Sequence, residues 1–79
     1  DLAYPLAAQL LAAQLNLAAG SYICTAADQA VQKAQLLLVT ADFRGAGAAL
    51  GAESPADQRE AAAALADQLA AFNTGGLCK

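Results

Sequence analysis

Apolar side chains recur along this chain at the three-and-four spacing of a helix, in three stretches separated by glycine and proline. In the first, from about Pro5 to Ala19, Leu6, Leu10, Ala13 and Leu17 fall on one face while Leu11 and Leu15 widen it. Proline is tolerated in the first turn, where its missing N–H has no helical partner to lose, and Gly20 supplies the stop. Gln9, Gln14 and Asn16 are the only strongly polar side chains of the stretch. A helix so nearly apolar all round is either central in its domain or covered by something else.

The second helix is expected from Thr25 to about Phe43, ending before the glycines at 45 and 47. Thr25 is the expected cap, with Asp28 three residues on at near capping-box spacing and favourably placed for the helix dipole. Its buried stripe reads Ala27, Ala30, Val31, Ala34, Leu37, Leu38 and Ala41, with Asp28, Gln32, Gln35 and Asp42 on the polar side. Leu36 to Thr40 has strand propensity, but the flanking pattern is helical and no second strand exists to pair with it. Residues 45 to 54 hold Gly45, Gly47 and Gly51 and read as a connection with a short turn at Ala48 to Leu50. Ser54, Pro55 and Asp57 then form a helix-start signal, a capping serine with proline at the first position. The third helix runs from about 55 to 73, burying Ala62, Leu65, Leu69 and Phe72 and stopping at Gly75 and Gly76. The prediction is one all-α domain over residues 1–79, a three-helix bundle whose second and third helices form an antiparallel hairpin. No internal repeat stands out, and the shared Ala-Leu-Gln vocabulary is that of helix propensity.

Composition sharpens this picture in one respect. The chain has 79 residues, 58% of them hydrophobic, but 24 are alanine, which buries little area apiece. A thin core in so short a chain calls for a staple or a partner. Cys24 and Cys78 are the only cysteines. An antiparallel hairpin returns the end of the third helix to the start of the second, which is where they lie, so a disulfide follows from the topology. Two free buried thiols and an intermolecular bridge are the alternatives. A disulfide implies an oxidising compartment, so the expected location is extracytoplasmic: periplasm, cell surface or medium. No signal peptide is visible, and a chain beginning at Asp1 is consistent with a processed product.

Charge and chemistry mostly exclude. A net charge of -3 with four basic residues argues against nucleic acid, which needs clustered cations. No histidine is present to activate Cys24, Cys78 or a serine as a nucleophile, or to complete a Cys-His zinc site. Asp28 with Asp67 is a weak candidate carboxylate pair, better read as solvated helix acids. Asp57 and Glu60 lack the oxygen-rich loop a Ca2+ site needs, and the helix dipole explains them. Gly45 to Gly51 superficially matches a dinucleotide fingerprint without the strand that gives one meaning. Arg44 and Arg59 read as solvated surface residues. Residues 2 to 27 carry no charge, yet Pro5, Gln9, Gln14, Asn16 and Gly20 interrupt the run and argue against a membrane span. The expectation is no catalytic residue, no metal and no cofactor.

Two segments carry a resemblance. Leu6 to Gly20 reads LAxQLxAAxLNxAxG, and Leu69 to Gly75 reads LxxFNxG. In that order, with an Ala-rich helix between, they resemble the Ala- and Leu-rich helical region of predicted secreted bacterial proteins. The resemblance spans most of the chain and implies secretion; it brings no catalytic or ligand residues with it. Such regions often follow an aromatic segment of the GYWKNHPEAW type, which this chain lacks. That absence points to a standalone variant, a processed fragment, or a subunit completed by another chain.

The functional expectation is a non-enzymatic structural or interaction module, a subunit of a larger assembly, filament or matrix. Its partner, another protein or a second copy, would cover the uncharged first helix at Leu2, Tyr4, Leu6, Leu10, Leu11, Leu15 and Leu17. The runner-up is a helical carrier that binds an apolar ligand or a membrane surface between its Leu-rich helices.

Overall fold

The computed structural model describes residues 1–20, 22–41 and 55–78. They form three helices, α1 (Ala3–Ala18), α2 (Thr25–Thr40) and α3 (Ala56–Asn73), with no strand among the described residues. All three pack on one another, and α2 and α3 run antiparallel, as the hairpin reading requires. The expected Ser54 cap, the Gly45–Gly51 connection and the residues from Asp42 to Arg44 lie outside the described residues.

Helix boundaries shift from the sequence expectation for local reasons. α1 starts two residues before Pro5, because the Asp1 carboxylate accepts the Ala3 N–H at 2.8 Å and stabilises an earlier first turn. Pro5 still sits among the first N–H positions, where it costs nothing. Thr25 is the first helical residue of α2 and caps nothing; the cap position belongs to Cys24, in extended conformation at φ -82 and ψ 165. The Cys24 N–H is taken by Cys78 Sγ at 3.3 Å, so the bridge occupies the place where a side-chain cap was expected. α2 closes at Ala41, after the β-branched pair Val39 and Thr40, which are poor helix formers. Pro55 takes the cap position of α3 at φ -53 and ψ 138, and the helix starts at Ala56, one position later than expected.

Two glycines end helices by adopting positive φ. Gly20 (φ 98) follows α1, and its N–H donates to the Leu17 carbonyl. Gly75 (φ 81) follows α3. There Gly75 N–H donates to the Phe72 carbonyl and Gly76 N–H to the Ala71 carbonyl at 2.7 Å, the paired bonds of a Schellman motif. That turn aims Leu77 and Cys78 back at the start of α2.

The core follows the predicted spacing except that Leu17, Leu37 and Ala41 lie at its edge, only partly buried. Leu6 and Leu69 are its largest fully buried side chains, joined by Leu10, Val31, Leu38, Leu65 and Phe72. Ala3, Ala13, Ala27, Ala30, Ala34 and Ala62 let the helices approach closely. Among the described residues no polar or charged side chain is fully buried.

Two devices tie the ends of these helices together. The Cys24–Cys78 disulfide joins the cap of α2 to the turn after α3, with Cα atoms 5.4 Å apart across 54 positions. Close to it, Asn73 at the last position of α3 reaches into α1. Its amide nitrogen donates to the Gln9 carbonyl at 3.0 Å and to Gln9 Oε1 at 2.8 Å, while its Oδ1 accepts from Asn16 Nδ2 at 3.0 Å. A backbone carbonyl only accepts, so the amide orientation of Asn73 is fixed, and Asn16 must be the donor on the other side. The three polar positions of the LAxQLxAAxLNxAxG and LxxFNxG segments thus form one half-buried clasp between α1 and α3.

Two stability effects follow. Replacing Cys24 and Cys78 with serine, or reducing the bond, is expected to cost about 3 kcal/mol, below the roughly 4 kcal/mol of the chain-entropy model. A thermal melt followed by circular dichroism should then drop by more than about 10 °C. Asn73→Ala should cost about 1.5 kcal/mol by stranding the half-buried Asn16 and Gln9 groups. In a double-mutant cycle with Asn16→Ala the losses should be less than additive by about 0.5 kcal/mol or more; strict additivity would show that the two amides act independently.

Candidate functional site

α1 carries two apolar stripes on different faces. The inward one, Ala3, Leu6, Leu10 and Ala13, is buried and continues to the half-buried Leu17. The outward one, Tyr4, Ala8, Leu11, Leu15 and Ala18, is exposed along its whole length. Its steps of four, three, four and three residues are those of a heptad seam, the pattern that receives another helix. Tyr4 is 42% exposed, Leu11 58% and Leu15 62%, so more than half of each leucine meets solvent in a helix that carries no charged side chain.

This divides the expected partner-facing residues. Leu6 and Leu10 do not belong to that surface: Leu6 is fully buried and Leu10 nearly so, because their face of α1 is the one that packs on α2 and α3. Leu2 and Leu17 are half-buried against the edge of the core. Tyr4, Leu11 and Leu15 are the members left facing out. Seven apolar side chains around a helix identify a wide face; only packing decides which half is used internally.

A second apolar surface lies between α2 and α3. Leu36, Leu37, Ala61, Ala64 and Leu65 line an open groove of about 450 Å3, with Lys33 and Gln68 at one end and Thr40 at the other. It exists because α3 turns alanines toward α2 at 61 and 64, too small to cover the leucines opposite. Leu36 is 67% exposed and Val39, beside it, 78%. The sequence held one sign of this surface: the run Leu36 to Thr40 is more apolar than a one-sided helix needs, which is why it also has strand character. A smaller and more polar depression of about 300 Å3, lined by Asn16, Tyr22, Phe72, Asn73, Gly75 and Cys78, sits where the clasp meets the disulfide.

Among the described residues the titratable side chains do not assemble into a reaction centre. Asp28 accepts a hydrogen bond from Gln32 Nε2 at 2.9 Å, one turn along the same helix. Asp57, Glu60 and Asp67 are exposed on α3. Among the described residues no group of three or more His, Cys, Asp or Glu side chains could hold a metal ion, and no helix is long and apolar enough to cross a membrane. The distinctive features are therefore the outward stripe of α1 and the groove between α2 and α3.

Comparison of the chain with known protein families, with curated proteins and with solved structures gives no match to any of them.

Proposed function

We propose that this protein is a non-enzymatic, extracytoplasmic interaction module that docks through the outward face of α1 and serves as a subunit of a larger assembly. The observation that carries the reading is the heptad spacing of Tyr4, Ala8, Leu11, Leu15 and Ala18 on a face the bundle leaves open. A flat or irregular partner would not need that spacing; another helix would. The extracytoplasmic part of the reading is supported by the Cys24–Cys78 bond, which is at home in an oxidising compartment.

A second copy is the simplest partner. Residues 2 to 27 contain no charge, so two α1 faces approach without like-charge repulsion or a buried ion to desolvate. The contact is weak in isolation. Covering the exposed part of one leucine contributes about 1.2 kcal/mol, and the four leucines with Tyr4, Ala8 and Ala18 of both copies contribute roughly 9 kcal/mol, about 5 kcal/mol more than the lower end of the cost of association. A lone pair of molecules should hold at a Kd of about 0.1–1 mM, which suits a repeated contact in an assembly better than a free dimer.

Sedimentation equilibrium of the oxidised protein over this concentration range should show reversible self-association. Leu11→Glu combined with Leu15→Glu should abolish it while leaving helicity unchanged, since both side chains already face water. A wild type that stays monomeric throughout the range, or a double variant that associates as well as the wild type, would contradict docking of α1 on a second copy.

A further inference from the structure

The groove between α2 and α3 differs in kind from the stripe on α1. The stripe is convex and uncharged; the groove is concave, apolar along its length and polar at its ends. In the antiparallel register that brings Cys24 to Cys78, Lys33 lies across from Gln68, Leu36 and Leu37 from Ala64 and Leu65, and Thr40 from Ala61. Among the described residues that line it, the one charge is thus the Lys33 ammonium at one end, beside the Gln68 amide, while Thr40 at the far end is neutral. From Lys33 to Thr40 is two turns of helix, or about 10 Å.

We propose that this groove binds a single-chain anionic amphiphile, a free medium-length alkyl carboxylate, with its tail along Leu36, Leu37, Ala61, Ala64 and Leu65 and its carboxylate at Lys33 and Gln68. Three features of the groove support this occupant. The volume of about 450 Å3 falls within the range of small-ligand sites, and the lining has their mixture of an apolar wall and a few convergent polar groups. The charge sits at one end, which matches a molecule with one charged end and gives it a direction. Lys33 makes no ion pair or hydrogen bond of its own among the described residues, so its three donors are available to a carboxylate. A helix from another protein is a poorer fit, since a trough two turns long accepts few of its side chains and leaves Lys33 without a counter-charge.

Isothermal titration of the oxidised protein with decanoate, kept below its micelle concentration, tests this directly. Decanoate should bind one to one and saturably, and decyltrimethylammonium, with the same tail and the opposite charge, at least fivefold more weakly. Lys33→Gln should weaken decanoate about fivefold, the scale of an exposed ion pair, and bring the two ligands close to parity. Ala64→Phe, at an exposed helix position, should fill the trough and reduce binding of both ligands by more than tenfold, with circular dichroism confirming the fold. No saturable decanoate binding, equal affinity for the two head groups in the wild type, or decanoate binding unchanged by Ala64→Phe would each overturn the proposal. So would binding to phosphatidylglycerol vesicles without binding to decanoate, which would make the groove a membrane contact.

Discussion

Small side chains at the helix contacts set the terms for everything else in this molecule. Among the described residues, six of the thirteen buried side chains are alanine. Alanine loses no side-chain entropy on folding and lets backbones approach closely, but removes little apolar area from water. The leucines, Val31 and Phe72 supply most of the burial, and in a chain of this length that burial stands against the ordering of every backbone residue. A core of this kind fixes the spacing of the helices more firmly than it holds them together. The remaining cohesion is concentrated where α3 ends.

That end is where the covalent and polar ties converge. The Schellman turn at Gly75 and Gly76 directs Cys78 toward the cap of α2, while Asn73, immediately before it, is bonded to Gln9 and Asn16 of α1. One short stretch of chain therefore joins α3 to both of its neighbours, on one side by a bond that restricts the unfolded state and on the other by amide bonds that cost energy if left unmet. Such amides also select one alignment of α1 along α3, because sliding the helices by a turn would leave all three side chains unpaired. A core rich in alanine has little else to fix that alignment, since its small side chains interlock weakly.

Much of this was legible in the sequence, and the unread parts have physical causes. The spacing of Ala62, Leu65, Leu69 and Phe72 predicted the buried face of α3, and the hairpin predicted the partner of Cys24. In α1 the spacing was ambiguous, because leucines occupy both faces and periodicity carries no sign of which face is internal; Leu6 and Leu10 turned inward while Leu11 and Leu15 stayed outside. The clasp was invisible for a different reason. Asn16 and Asn73 are 57 positions apart, and only the packing of α1 on α3 brings them within 3.0 Å. Thr25 gave way to Cys24 at the cap because a covalent constraint outranks a local preference. The groove was concealed in a run whose surplus of apolar residues had more than one reading.

The functional account rests on a rigid bundle that presents the outer face of α1 and the α2–α3 groove from one fixed frame, and that frame depends on the ties at the end of α3. Hydrogen exchange on the oxidised protein, resolved by residue, measures this directly. The account predicts that amides at the centres of α1 and α3, around Leu10 and Leu69, open with one shared free energy, and that reductant lowers both together. If α1 exchanged orders of magnitude faster than α3 with the disulfide intact, the clasp would not be holding it, and a fixed docking face on α1 would be contradicted.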